Sequence, residues 1–365
     1  MSRSDPIAAA MQSAVDRGVF PGAVLCVRLR GEVVSHQAFG LTARIPEPQA
    51  ADLHTIYDLA SLTKPLATAT ALLSLIQEGR LSLDTPVQEI IEEFKGVPTG
   101  AATVFHLLNH SAGLPAWRPY YQVLAPSPLP LPTEGGEVKV RGMMLDLIRQ
   151  EPLISPIGAR SVYSDLGFML LGWVVERGSG QSLDGYCRTI YDRLGAEPLG
   201  YLPEHPSPVA PTEDDPWRGR IVCGEVHDEN AYAMGGVAGH AGLFGTAEAV
   251  AAVTAGWLDG YHGRPSPLRT ELVRRFVTRQ ERTPGSSWGL GWDTPSPPSS
   301  SGRHFSSQAF GHLGFTGTSI WVDPVPELEV ILLTNRVHPT RDNNTIRDFR
   351  PKLHDLIYET LVGGR

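Results

Sequence analysis

The chain has 365 residues, 41% hydrophobic and 19% charged. That ordinary balance excludes a wholly disordered chain, and the length suits two packed regions or one large domain with an insertion. Lys plus Arg number 31 and Asp plus Glu 39, a formal net charge of −8 with no basic run, which argues against a nucleic-acid partner.

No stretch approaches the roughly 20 apolar residues of a membrane helix. Met1 to Ala10 lack the apolar run of a signal peptide, because Asp5 and Pro6 interrupt it. The expectation is a cytoplasmic chain without a membrane span. Cys26, Cys187 and Cys223 are widely spaced and odd in number, and they form no zinc or CxxC pattern. They read as reduced, mostly buried thiols.

Residues 5–18 carry a short amphipathic pattern and predict a helix. Ala23–Arg28 and Val33–Phe39 are β-rich runs joined by a polar turn at Arg30-Gly31-Glu32, which predicts a hairpin. Lys64–Glu78 is helical in pattern and stops at Gly79. Helical patterns recur at Val104–Asn109, Arg141–Gln150 and Gly167–Arg177, and over 246–260 and 269–279. Ser319–Val322 and Glu329–Leu333 restore strand character around a turn at Asp323 to Pro326, and a last helix is expected over 343–361.

Strands thus flank a helical middle, and a lone hairpin is marginal in water. The expected fold class is an α/β (α+β) sandwich. Its antiparallel sheet joins the N- and C-terminal strands (1–60 and 285–365), with helices on its flanks. Residues 61–284 form a largely helical inserted subdomain, and the active site lies at the junction. Pro115–Glu137, with six prolines, and the Ser/Pro-rich Thr294–His304 read as connections, either of which can rim that site.

Ser61-Leu62-Thr63-Lys64 is the central chemical feature. A Ser hydroxyl needs a base to become a nucleophile. A Lys one helical turn on shares its face, and a Lys held among apolar groups can lose its proton near neutral pH. Tyr163-Ser164-Asp165 stands before an apolar helix, and a phenol near a cationic Lys favours its phenolate form, as a general base or proton shuttle requires. His312-Leu313-Gly314-Phe315-Thr316-Gly317-Thr318 leads into a strand; its glycines permit close backbone approach, and an edge strand there offers an oxyanion N–H. His312 would supply a hydrogen bond or partial positive charge to the substrate.

The order and separation of these three elements resemble the serine β-lactamase and penicillin-binding-protein superfamily, and in particular its class C β-lactamase-like branch, with SxxK, then YxN, then K/H-x-G. Asp58-Leu59-Ala60, Leu107 to Pro115 and Ala238 to Phe244 are similar to that branch as well. The resemblance implies Ser61 as acylated nucleophile, Lys64 as its partner and Tyr163 as proton shuttle. It also implies an oxyanion hole from the N–H groups of Ser61 and Phe315, and no cofactor or metal.

Two positions depart from the pattern. Asp165 stands where YxN has Asn, and an ionised Asp cannot donate to an amide carbonyl; near Lys64 it would also stabilise the protonated amine. His312-Leu313-Gly314 replaces KTG and loses a permanent cation and a hydroxyl. Both favour a small-ester or D-peptide substrate over a β-lactam.

Glu225-Val226-His227-Asp228-Glu229-Asn230 is densely polar without zinc-enzyme spacing, and reads as cleft lining or a hydrogen-bonded turn. His110 and His240 read as turn-capping residues. The functional expectation is a serine hydrolase acting through an acyl-enzyme: carboxylesterase-like on small esters first, a D-aminopeptidase or DD-carboxypeptidase second, a β-lactamase third. The partner is a small ester, amide or peptide. The reading from another class is a catalytically silent penicillin-binding-like protein, which intact Ser61, Lys64 and Tyr163 argue against.

Overall fold

The computed structural model describes residues 5–124, 136–203 and 208–363. At its centre is a six-stranded antiparallel sheet. In chain order the strands are β1 (Gly22–Leu29), β2 (Glu32–Ala43), β3 (Gln49–Ala50), β4 (Phe310–Leu313), β5 (Ser319–Asp323) and β6 (Leu328–Thr334), arranged β3-β2-β1-β6-β5-β4. The two terminal hairpins meet where β1 pairs with β6, Cys26 opposite Ile331. A sheet built this way closes only when both chain ends are present.

Side chains alternate across β1. Ala23, Leu25 and Val27 face one core, with the helices α1 (Pro6–Asp16) and α4 (Ile346–Leu361), which supply Met11, Phe349 and Leu353. Val24 and Cys26 face the other core. Both faces of β1 are therefore covered, and its run is continuously apolar. The second core continues without a break through α2 (Asp165–Ser179) and α3 (Ala247–His262). Helix α3, inside the segment expected to form the helical region, packs on the sheet: Thr254 donates at 2.6 Å to Glu329 of β6, which is also paired with Arg28 at 2.9 Å. The one carboxylate in that strand is thus fully engaged.

The segment expected as a helix from Lys64 is helical but irregular. A 3₁₀ turn over Ala60–Leu62 passes into a π-helical stretch, Lys64–Ala69, before regular α-helix from Thr70 to Gln77. Such wide turns are characteristic of functional positions. Ala60, immediately before the serine, has φ +47°, a left-handed conformation that costs an L-residue about 1–3 kcal/mol. Asp58 holds it by accepting the Ala60 N–H at 2.8 Å.

Among the described residues no helix is long and apolar enough to cross a membrane. Cys26 and Cys187 are buried and Cys223 is exposed, in line with mostly buried thiols. Part of the proline-rich connection, 125–135, lies outside the described residues.

One close backbone approach ties the helices to the site. Gly239 lies against α2, where a Cβ would overlap the Phe168 carbonyl and come within 2.8 Å of Gly172 N. The Gly239 carbonyl accepts from Thr68 at 2.7 Å, and the neighbouring His240 carbonyl accepts from Lys64 at 3.1 Å. Gly239→Ala must push this strap off the helix. We expect a stability loss of at least about 2 kcal/mol by denaturant unfolding, with activity falling further than the unfolded fraction explains. A neutral result would show that the strap has room to move.

Candidate active site

Ser61 and Lys64 face one another on the first irregular turns of their helix, Lys64 Nζ donating to Ser61 Oγ at 3.0 Å. Lys64 is wholly buried. Its ammonium also donates to the His240 carbonyl and forms an ion pair with Asp165 Oδ1 at 2.7 Å. It stands 4.8 Å from the centre of the Tyr163 ring. Burial alone would pull the lysine down, but Asp165 and then Tyr163 more than offset it, so Lys64 lies above its ordinary value. Of the two sequence readings of this lysine, loss of its proton among apolar groups is corrected, and the stabilising effect of Asp165 on the ammonium is the one that the geometry favours. The departure at Asp165 overrides the apolar surroundings.

Tyr163 is fixed by the residue that follows it. Ser164 caps α2 by accepting the Gly167 N–H at 3.2 Å and donates to the Pro115 carbonyl at 2.7 Å. The Ser164 N–H goes to His110 Nδ1 at 3.1 Å, and the Asp165 N–H to Ala116 O at 2.8 Å. The Tyr163 ring packs against both His110 and Trp288, at 4.7 and 5.4 Å, and those two rings also touch each other at 4.5 Å. Its hydroxyl is hydrogen-bonded with the side chains of Ser61 and Lys64. Burial raises the phenol above its ordinary value despite Lys64. The expectation of a favoured phenolate is therefore also corrected: desolvation outweighs the nearby cation.

The third element closes over Ser61 from the sheet. Gly314 N donates to Thr318 O at 2.8 Å. Thr316 and Thr318 donate their hydroxyls to the carbonyls of Asp58 and Leu59, at 2.8 and 3.1 Å. A Cβ on Gly314 would overlap Thr318 Oγ1 and meet Leu59 O at 2.7 Å. Arg336 grips the Phe315 carbonyl through Nε and Nη2 at 3.0 and 2.7 Å. Phe315 is thereby set beside the serine, its ring 47% exposed in the cleft. Among the described hydrogen bonds, none uses the backbone N–H of Ser61 or Phe315.

His312 differs from expectation. Its Nδ1 sits 2.8 Å from its neighbour's carbonyl, Leu313 O, which makes Nδ1 the donor and Nε2 an acceptor without a partner. Burial, then Lys64, pull its pKa down to about 3. It is neutral and offers no positive charge at physiological pH.

The cleft divides at Ser61, Tyr163 and Phe315. One recess, of about 290 Å³, is lined by Trp117, Asp165, His227, Asp228, Glu229 and Arg341. The other, of about 440 Å³, is lined by Trp288, Asp293, His312, Arg336, Arg347 and Arg350. Sequence reasoning missed the arginines: they are scattered, and only the fold gathers them. Of 225–230, read from sequence as cleft lining or a hydrogen-bonded turn, His227, Asp228 and Glu229 line the first recess. Asp228 caps the helix Glu229–Ala233 and pairs with His240 Nε2 at 2.9 Å. Burial would raise the Asp228 carboxyl, yet His240 and the Ala231 N–H hold it below its ordinary value. His227 pairs with Glu213 at 2.9 Å and stacks on Phe315, and Arg341 bridges Glu213 and Glu229. His110 and His240 are more than turn caps. His110 packs on Tyr163 and is kept neutral by burial and by Lys64.

The family model described as "Beta-lactamase" matches residues 7–353. A protein of Escherichia coli O157:H7 named "Putative D-alanyl-D-alanine carboxypeptidase" is 32% identical over 358 residues, covering 89% of this chain and 80% of that one. The octameric penicillin-binding protein homologue from Pyrococcus abyssi superposes with TM-score 0.74 at 23% identity, over 98% of this chain and 77% of that one. EstCE1, a hydrolase with promiscuous acyltransferase activity, gives TM-score 0.73 at 21% identity over 94% and 97%. These two share the fold. With a family model matched across nearly all of its length, the chain belongs to the beta-lactamase family and is a serine hydrolase.

Proposed function

We propose that this chain cleaves a peptide or ester bond whose leaving group carries a carboxylate, through an acyl-enzyme on Ser61. The observation that carries the mechanism is the contact of Ser61 Oγ with Lys64 Nζ at 3.0 Å, with the Tyr163 hydroxyl bonded to both side chains. Once the Lys64–Tyr163 pair has given up one of its two protons, Ser61 Oγ attacks the carbonyl carbon and passes its own proton to that pair. The oxyanion is met by the N–H groups of Ser61 and Phe315. The pair returns the proton to the leaving nitrogen or oxygen as the bond breaks; water then releases the acyl group by the reverse relay. Lys64, Tyr163 and Ser61 come from the segment 61–284, and His312, Gly314 and Phe315 from 285–365. We therefore read the site as the junction of the two regions.

Lys64 and Tyr163 both hold their protons in the resting site, so they titrate as one coupled unit above neutrality. Asp165 is the group that keeps the lysine charged.

Arg350 supports the carboxylate. It is 4% exposed, donates to Thr318 O at 2.8 Å, leaves Nε without a partner, and has no ion pair among the described residues. Burial, with Arg336 and Arg347 nearby, draws it down to about 9, still charged at neutral pH. A buried cation without a counter-ion is costly unless a ligand supplies one. These arginines do what the family's KTG lysine and hydroxyl would do, so Leu313 does not forbid an anionic substrate. The relatives named for D-alanyl-D-alanine carboxypeptidase activity fit a substrate of this charge, and small esters remain suitable probes.

Three outcomes test the reading. Ser61→Ala should lose fluorophosphonate labelling and the burst with p-nitrophenyl acetate, and drop kcat by at least about 10³-fold; retention of full activity would sink the mechanism. The rate should rise on the alkaline side as the Lys64–Tyr163 pair gives up a proton. Asp165→Asn removes the carboxylate that holds that proton, so it should move this limb to lower pH by about one unit or more; an unmoved limb would mean that Asp165 does not set the base. Gly314→Ala should cut kcat by about 10²-fold with a smaller change in KM, because the Cβ displaces the Phe315 amide; unchanged kcat would remove Phe315 from the oxyanion hole.

A further inference from the structure

The two recesses that meet at Ser61 carry opposite charge. On one side, three carboxylates line the wall: Asp165, Asp228 and Glu229, with side chains 18%, 22% and 10% exposed. Glu213 stands behind them, paired with His227 and Arg341. The full cations there are Lys64 and Arg341, two against four carboxylates. His240 lines the same wall at 1% exposure. Its Nε2 lies 2.9 Å from Asp228 Oδ1, and its buried Nδ1 meets no partner. The recess thus holds more carboxylates than full cations and a buried ring nitrogen without a partner, under the exposed aromatic faces of Trp117 and Phe315.

On the other side, Arg336, Arg347 and Arg350 face a single carboxylate, Asp293. That carboxylate is occupied by Ser287 at 2.6 Å and Thr294 N at 2.9 Å. Arg336 spends its donors on the carbonyls of Phe315, Arg341 and Asn343.

We propose that the acyl half of the substrate carries a free ammonium, so that the substrate is a small zwitterion such as an unblocked dipeptide, its amine in the carboxylate-lined recess and its carboxylate among the arginines. This rests on the acyl-enzyme reading above and adds the charge and size of the acyl half. A dipeptide places its two charges on either side of the scissile carbonyl, in the sense in which the cleft is charged, and only one orientation satisfies both. The recesses, about 290 and 440 Å³, lie toward the small end of ligand pockets. A peptide whose amine is already acylated would bring a neutral amide to the carboxylate side and forgo the attraction of those carboxylates for a cation.

The test compares free, N-acetylated and C-amidated forms of D-Ala-D-Ala and of Gly-Gly, with kcat/KM measured for each. Fluorophosphonate labelling of Ser61 and p-nitrophenyl acetate turnover run alongside as checks on the serine chemistry. We expect the free dipeptide of at least one pair to be best, with losses of tenfold or more on N-acetylation and on amidation. Glu229→Gln should shrink the N-acetylation penalty to under threefold while Ser61 still labels. Equal or faster hydrolysis of the N-acetyl form, or no hydrolysis of any of the six by enzyme that labels, overturns the proposal and leaves the acyl-enzyme reading standing. Failure to label Ser61 removes both.

Discussion

Everything in the site depends on one buried ammonium. Lys64 has no exposed surface, and its ammonium is met from different parts of the chain: Ser61 on its own helix, the His240 carbonyl on the strap, and Asp165 at the start of α2, with Tyr163 beside them. A buried charge tolerates little slack, since breaking one partnership leaves the ion uncompensated at a cost of several kcal/mol. The surrounding devices can be understood as ways of holding those partners still. Gly239 lets the strap lie on α2, Thr68 anchors the strap from below, Ser164 and His110 lock the turn before α2, and the 3₁₀-to-π start of the helix turns Ser61 and Lys64 toward each other. The same ammonium keeps the nearby imidazoles neutral, His110 and His312 both being lowered by it after burial.

Much of this was legible in sequence. The hairpins at each end, the helix from Lys64, the apolar helix after Tyr163 and the last helix all announced themselves by period and by Gly or Pro punctuation. Several shorter or mixed elements did not, two of them instructive. Strand β4 contains Gly311 and reads as a turn; the glycine is there because a Cβ would overlap the Ile320 carbonyl and crowd Trp321 on the next strand. Helix Leu183–Leu194 mixes Gly, aromatic and β-branched residues of modest helix propensity. Its signal was the spacing of Leu183, Tyr186, Cys187, Ile190 and Tyr191, which are the residues it buries.

The site divides in the same way. Ser61, Lys64, Tyr163 and the Gly314–Phe315 turn could be found because each sits in a local pattern. Protonation could not, because it depends on a distance. Sequence alone left open whether Asp165 meets Lys64 or turns away, and the 2.7 Å contact decides that the resting lysine is charged. The arginines were invisible for a similar reason. Arg336 follows β6, while Arg347 and Arg350 lie on the last helix, which the sheet carries to the mouth of the cleft. Their gathering alters the meaning of the missing KTG lysine: the cation is supplied from another element.

The central claim, that Asp165 holds Lys64 as an ammonium and sets the proton affinity of the site, can be read at the nitrogen itself. The chain has only four lysines, at positions 64, 95, 139 and 352, so selective ¹⁵N labelling of lysine side chains gives a spectrum in which Lys64 is assignable by substitution. The account predicts that Lys64 Nζ keeps the ammonium chemical shift through neutral pH and titrates above an ordinary lysine. A neutral amine at Lys64 at pH 7 would contradict it.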